Sequence, residues 1–160
     1  MTTETVRVQY TDAGRKYIEN LAELAKLQVC VGFQAGPAEK DSDIQVVEVA
    51  YYNNFGTVNE DGSVRIPARP FMNAAIDNHV DEISAFIFKR LRAVVRGSID
   101  AQMALNQIGS KCKGITQSEI RDGDWVPNSP ATIRRKGSSK PLIDTGTMRQ
   151  SVMYIVKERE

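Results

Sequence analysis

Two long stretches with helical periodicity in the middle of the chain constrain the fold more than any other sequence feature. Over residues 70–96 apolar side chains recur at steps of three and four, and over 99–120 the spacing is repeated, with Gly109 and Gly114 interrupting it. The first stripe consists of Ile76, Val80, Ile83, Ile87, Leu91 and Val94. This spacing predicts two amphipathic helices, each with one buried face.

Strand-like alternation replaces this pattern towards the ends of the chain. Apolar and polar residues alternate over 5–10, 27–33 and 152–156, which predicts three strands, the second with Cys30 on the face that its valines avoid. The expected fold is α+β: a small mixed or antiparallel sheet with strands near both termini, packed against two longer central helices, short helices and long loops. The length predicts one such domain over 1–160.

Capping signals predict two more helices before the centre. The Thr11–Asp12 pair can cap the first, which runs to about Lys26. Ser42, followed three residues later by Gln45, is a capping-box pattern, so a second helix is expected to begin there and to end at Gly56. Their predicted buried residues are Tyr17, Ile18, Leu21, Leu24 and Ala25 in the first, and Ile44, Val47, Ala50 and Tyr51 in the second.

Two long loops flank the predicted central helices. The first, about 56–70, contains the turn signal Asp61-Gly62 and is expected to be a loop or hairpin. The second, about 121–143, contains one short helix over 130–136 with Ser129 as its cap. Because loops of this length are usually functional or disordered, both are predicted to be interaction loops.

Composition argues against several classes of function. The single histidine, His79, and the two cysteines, Cys30 and Cys112, are too few for a zinc framework or a disulfide-rich scaffold. No apolar run approaches the roughly 18 residues of a membrane span, and the first twenty residues lack the apolar middle of a signal peptide. We therefore expect an intracellular domain with no enzymatic activity, cofactor, metal or membrane contact.

The net charge of +1 conceals an uneven distribution. Residues 1–56 carry five Lys and Arg against eight Asp and Glu, whereas residues 57–141 carry thirteen against nine. A chain with oppositely charged parts suits copies or neighbours that dock on opposite faces. The alternative is an ordinary solvated helix surface.

One short segment resembles a catalytic motif. Asp144-Thr145-Gly146, preceded by Leu142-Ile143, matches the segment that aspartic proteases carry, and a homodimer would let two such carboxylates share a proton. Against this, Thr147 stands where a small residue is usual, and only sixteen residues follow Asp144. The alternative is that Asp144 or Thr145 caps a helical turn over 145–151 and Gly146 relieves it. A dimeric aspartic protease is therefore the remote hypothesis.

Basic residues on the long predicted helix and in the second loop suggest nucleic acid as another partner. They are Lys89, Arg90, Arg92, Arg134, Arg135, Lys136 and Lys140. These side chains could contact phosphates. However, no recognition-helix pattern or aromatic interleaving accompanies them, so an interface or solvent role is preferred over a nucleic-acid-binding domain.

Three strings follow one another along the chain. The first is EVAYYNNFGT over 48–57, leading into RIPARPFM over 65–72. The second is IRDGDWVPNSPATIRRKGS over 120–138, and the third is PLIDTGTMRQSV over 141–152. Taken together, across residues 29–156, they resemble the neck and tail-completion proteins of tailed bacteriophages.

The resemblance implies a structural virion protein without catalytic activity, which forms a ring, expected to be a hexamer, around the DNA channel. It implies head-completion or connector proteins as partners on one side and tail terminator or tail tube proteins on the other. Genomic DNA would pass close by, and Lys89, Arg90 and Arg92 would be possible channel or interface residues. The expected location is the head–tail junction of the virion, after assembly in the host cytoplasm. A tail terminator ring is the alternative, because both kinds of ring occupy this junction.

The same strings supply candidates for contacts between subunits. Segment 66–71 is stiff and extended, so docking it costs little conformational entropy. Arg69 offers a planar fork and Phe71 a large apolar anchor, the alternative for both being packing within their own domain. The candidates are Phe55, Arg65, Ile66, Pro67, Arg69, Phe71, Trp125, Arg134, Arg135, Lys136 and Lys140.

Overall fold

A computed structural model describes residues 9–34 and 44–159. Within these ranges the chain is a mixture of helix and sheet, with seven helices and two small antiparallel sheets, which confirms the predicted α+β class. The elements in chain order are α1 Asp12–Lys26, β1 Leu27–Gly32, α2 Val46–Phe55, β2 Thr57–Val58, β3 Val64–Ile66, α3 Phe71–Asp77, α4 Val80–Val95, α5 Ala101–Asp122, α6 Pro130–Lys136, α7 Thr147–Gln150 and β4 Met153–Glu158.

Helix α5 is the element around which the others pack. It contacts α1, α3, α4, α7 and both strands of an antiparallel ribbon in which β1 pairs with β4, from Leu27 opposite Glu158 to Gly32 opposite Met153. Gly109 makes the close approach of the ribbon possible, since a Cβ there would lie 2.4 Å from Cδ2 of Tyr154. The glycine that blurred the sequence periodicity therefore lies at the contact between helix and ribbon.

The ribbon confirms the strands predicted over 27–33 and 152–156, and Cys30 is exposed, on the face that the valines avoid. The strand predicted over 5–10 lies mostly outside the described residues, and its described end, Gln9 and Tyr10, is not in a strand.

The single helix predicted over 70–96 is wrong, because the chain breaks there into α3 and α4. Ile76 and Val80, both on the predicted buried stripe, lie on either side of the break and are 48% and 51% exposed. Ile83 and Val94 are buried as predicted. The sequence periodicity continues through residues 78 and 79, which are not helical, and therefore does not reveal the break.

A contact from α5 accompanies this break. Asn78 donates from Nδ2 to Oε1 of Glu119 at 3.3 Å, and Nε2 of the adjacent His79 lies 3.7 Å from Oε2 of the same carboxylate. Asparagine is also a weak helix former. A partner 41 positions away along the chain is invisible to any local pattern, which is why periodicity predicted a continuous helix.

Both early helices are present, α1 where it was predicted and α2 with a later start, but they bury different residues. Helix α1 begins with Thr11 accepting a hydrogen bond from the Gly14 amide at 3.2 Å, yet none of its residues is buried. Tyr17, Ile18 and Leu21 are 44%, 43% and 39% exposed. The amphipathic stripe of α1 therefore does not supply the expected core face.

Helix α2 begins at a capping box shifted by three residues from the prediction. The box pairs Gln45 with Glu48, whose Oε2 accepts from the Gln45 amide at 2.9 Å, whereas Ser42 lies outside the described residues. The helix ends at Gly56 as predicted. Its buried residues are Val46, Ala50 and Asn54, whereas the predicted Ile44 and Tyr51 are exposed.

The largest buried cluster joins α2, α3, α5, α7 and the residues on either side of α7. Its members are Val46, Ala50, Phe71, Ile120, Leu142, Met148 and Val152. All three sequence strings contribute to it, so the core holds together the segments that carry the resemblance.

Candidate functional site

The three strings meet around one cavity of about 480 Å³, here called the convergence cavity. From the first string the lining includes Asn53, Arg65 and Arg69; from the second, Asn128, Arg135 and Lys136; and from the third, Leu142 and Asp144. Helix α2, strand β3, helix α6 and the turn before α7 position these side chains. Segments that are far apart in sequence therefore build a single concave surface.

Arg69 connects these segments from within. Its side chain is almost fully buried and donates from Nε to the Val126 carbonyl at 2.9 Å, from Nη2 to Oδ1 of Asn128 at 3.1 Å, and from Nη1 to Oδ1 of Asn53 at 3.4 Å. Among the described residues no carboxylate forms a salt bridge with it. Burial of the guanidinium lowers the pKa of Arg69. The guanidinium donors of Arg69 are thus used within its own chain rather than being available to a neighbouring subunit.

Phe71 is likewise an internal residue. Its side chain is fully buried and packs edge-to-face against Phe33, with ring centroids 6.1 Å apart. The amide of the next residue, Met72, is held by Oδ1 of buried Asn54 at 3.2 Å. Of the two explanations that the sequence left open for Phe71, packing in its own domain is the correct one, and Phe71 is removed from the exposed interface candidates.

Internal hydrogen bonds hold the second loop against the cavity. Lys136 donates from Nζ to the carbonyls of Lys140 and Pro141 at 3.1 and 3.2 Å, and Asn128 donates from Nδ2 to the Lys140 carbonyl at 3.2 Å. Burial lowers the pKa of Lys136, opposed by the nearby negative charge of Asp144. Trp125, also partly buried, donates from Nε1 to the Glu119 carbonyl at 3.1 Å.

The remaining basic candidates of the cavity region are exposed. Arg65 and Arg135 line the cavity, and neither side chain forms a hydrogen bond or salt bridge with another described residue. Arg134, next to Arg135 on α6, is exposed and does not line the cavity. Lys140 is exposed, with Nζ 3.5 Å from the Arg121 carbonyl. The cavity therefore has a positively charged, solvent-accessible rim.

The protease-like segment forms a helix start. Thr145 accepts a hydrogen bond from the Thr147 amide at 3.2 Å, and Gly146 adopts the left-handed region at φ 85°. Asp144 is exposed at the cavity. The N-cap of α7 is Gly146 and it makes no side-chain cap, so neither Asp144 nor Thr145 is the cap that the sequence predicted. Gly146 does relieve the turn, and Thr145 binds the first helical amide from the position before the cap.

The basic residues of α4 do not form one surface. Arg90 donates from Nη1 to Oε1 of Gln107 on α5 at 2.7 Å and lies 4.9 Å from the centre of the Phe86 ring. Lys89 and Arg92 are exposed and line a separate groove, which shares no residue with the convergence cavity. Only two of the three channel candidates therefore face solvent together.

An exposed apolar patch adjoins the cavity across the β2–β3 hairpin. It consists of Phe55, Val58, Val64 and Val126, which are 65%, 66%, 68% and 53% exposed. A shallow pocket at this patch shares Val64, Ile66 and Pro67 with the cavity. Of the four residues in this patch, only Phe55 was among the contact residues predicted from the sequence. The signal available for Val58 and Val64 was their apolar character on each side of the Asp61-Gly62 turn.

Comparison of the chain with protein-family models, curated proteins and solved structures gave no match. In the part of the chain that the structure describes, no group of three potential ligands among His, Cys, Asp and Glu could hold a metal ion. None of the described helices is both long and apolar enough to cross a membrane.

Proposed function

We propose that this chain is a structural virion protein of the tailed-phage neck, which completes the tail and joins it to the head by assembling into a ring. The observation that carries the proposal is the convergence of the three strings on one cavity and the adjoining apolar patch. Residues that carry the resemblance thus build a single surface of a kind suited to contact. On this proposal the protein acts by assembly rather than by catalysis.

The rigidity of the surface favours assembly. Arg69 fixes the backbone near Val126 and the side chains of Asn53 and Asn128, so these segments lose little conformational freedom when a neighbour docks. A rigid, partly apolar surface next to positive charges is a suitable anchor for a subunit contact.

The charge distribution suits a head-to-tail contact between copies. Residues 1–56 are net acidic and residues 57–141 net basic. A heterologous contact between unlike surfaces generates a closed ring when the rotation between neighbours closes. Such a ring has two different faces, one for the head side and one for the tail side.

Electron microscopy of purified particles tests the proposal directly. With a tag on this chain, the expected result is a hexameric ring at the head–tail joint. Particles from a genome that lacks the coding sequence should yield filled heads and free tails that fail to join. A chain found only in the host cytosol would contradict the proposal, and tails of uncontrolled length would assign the terminator role instead.

The apolar patch allows a sharper version of this test. Phe55→Ser combined with Val64→Thr removes exposed apolar surface without disturbing a buried residue, so the protein should fold and fail to complete particles. Phe88→Ser is the matched control, because Phe88 is 69% exposed on α4, away from the patch. Equal titres of infectious particles from the two variants would remove the patch from the assembly surface.

A further inference from the structure

The convergence cavity lies along the free edge of strand β3. Among the described residues, β3 pairs with β2 alone. Side chains of successive strand residues point to opposite faces, yet Val64, Arg65 and Ile66 all line the cavity, whereas Thr57 and Val58 of β2 do not. A cavity reached from both faces of a strand, but not from its paired neighbour, runs beside the unpaired edge of that strand.

An unpaired strand edge presents backbone N–H and C=O groups that another extended segment can bind. The cavity adjoins the apolar patch, with which it shares Val64, and both it and the pocket at the patch are lined by Ile66. Its volume of about 480 Å³ lies within the range of roughly 300–1,000 Å³ that is usual for ligand pockets. The site therefore combines an edge for main-chain pairing with an apolar surface for side chains.

The charge of the lining specifies which side chains fit. Four basic residues, Arg65, Arg69, Arg135 and Lys136, line the cavity against one carboxylate, Asp144. The side-chain donors of Arg69 and Lys136 are directed to their own chain, but the guanidinium groups of Arg65 and Arg135 form no hydrogen bond or salt bridge with any described residue. The cavity thus has excess positive charge and two guanidinium groups available for an anion.

We propose that this cavity binds an extended acidic segment of a polypeptide, which adds as a strand to the free edge of β3. Because side chains alternate along a strand, its carboxylates would face Arg65 and Arg135 while its apolar side chains reach Val64 and the patch. A protein ligand is preferred over nucleic acid because the strand edge and the apolar lining match a peptide backbone and apolar side chains.

The inference goes beyond the neck assignment and does not depend on it, since free peptide is the probe. A fluorescein-labelled hexapeptide of alternating aspartate and valine is titrated into the full chain and followed by fluorescence anisotropy. The expected result is saturable binding that weakens about tenfold in Arg135→Ala, the size expected for one charge-assisted contact. Arg134→Ala is the matched control on α6, and binding there should stay within about twofold.

Two modified peptides separate the parts of the proposal. Replacing aspartate by asparagine should weaken binding about tenfold if the carboxylates are recognised. Methylation of the alternate amides that would face β3 should weaken it similarly if the peptide pairs as a strand. Circular dichroism checks that each variant of the protein remains folded.

Several outcomes would overturn the inference: no binding of the peptide, equal affinity for the aspartate and asparagine peptides, no effect of amide methylation, or equal losses in the two arginine variants. Tighter binding of a DNA duplex of about 20 base pairs, with a steep salt dependence, would assign the positive charge to nucleic acid. Failure of the peptide test leaves the location of the chain in particles unaffected, so the two proposals fail separately.

Discussion

The guanidinium of Arg69 donates a hydrogen bond from Nη2 to Oδ1 of Asn128 at 3.1 Å, although the two residues are 59 positions apart in the chain. This bond joins the first and second strings, and the further bond from Nε to the Val126 carbonyl strengthens the same connection. The convergence cavity exists because these segments are held together there. Arg69 is therefore the residue on which the geometry of the candidate site most depends.

Arg69→Ala should lower the free energy of unfolding by about 2–4 kcal/mol, because it leaves the Val126 carbonyl and the Asn128 side chain without a buried donor. Arg69→Lys should recover less than half of the loss, since one ammonium group cannot reproduce the planar fork. Urea unfolding measures both. Arg65→Ala, at an exposed position, should change stability by less than about 0.5 kcal/mol; a comparable loss there would show that Arg69 has no special role.

Two glycines of α5 should respond to alanine in opposite directions. At Gly109 a Cβ would lie 2.4 Å from Cδ2 of Tyr154 and 2.9 Å from Cγ2 of Val29, so Gly109→Ala should destabilise the protein by about 1–3 kcal/mol. At Gly114 nothing lies within 4 Å, so Gly114→Ala should stabilise it by about 0.5–1 kcal/mol through helix propensity. Thermal unfolding of the two variants measures the difference, and equal effects would contradict the close helix–ribbon contact.

Gly56 ends α2 with φ 74° and ψ 173°, a conformation that is essentially restricted to glycine. A Cβ there would also lie 2.8 Å from the Ala68 amide nitrogen and from the Ile66 carbonyl oxygen. Gly56→Ala should therefore cost about 3 kcal/mol or more. Gly137 has a similar φ of 69° but open space around it, so Gly137→Ala should cost only about 1–2 kcal/mol in chemical denaturation.

Glu82 should contribute to the acid sensitivity of the fold. Hydrogen bonds from Lys111 and His79 lower the pKa of Glu82 below its ordinary value. Because the folded-state pKa is the lower one, this contribution is fully present above the unfolded-state pKa and disappears as the pH falls through the folded-state pKa. Glu82→Gln should therefore reduce stability at neutral pH and match the unsubstituted protein in acid.

Urea unfolding from neutral pH down to about pH 3 measures this convergence of stabilities. Lys111→Gln should show part of the same loss of stability at neutral pH, since the ammonium group of Lys111 is the main cause of the lowered pKa of Glu82. Glu60→Gln is the control, because the exposed Glu60 forms no hydrogen bond with a described residue. Parallel pH curves for Glu82→Gln and the unsubstituted protein would refute the contribution.

Elements whose signals lie within a few residues could be predicted from the sequence. Helix α6 is the clearest case, with Ser129 as its cap, Pro130 at its first position and Gly137 at its end. Strands β1 and β4 follow from alternation, and α1 from its cap and periodicity. For the candidate site, the sequence showed the three strings but not their arrangement. No local pattern indicates which of these segments come into contact in the folded chain.

The sequence by itself determined the mixed α+β class, the caps of α1 and α6, the end of α2 at Gly56 and the segments that build the candidate site. Only the tertiary structure decided that α3 and α4 separate beside Glu119, that Phe71 and Arg69 face inward, and that the apolar stripe of α1 is left largely uncovered. The physical reason is the distance along the chain over which each kind of interaction acts. Caps and periodicity act between neighbours in the chain, whereas burial and hydrogen bonding of these residues depend on partners many positions away, which exist only once the chain has folded.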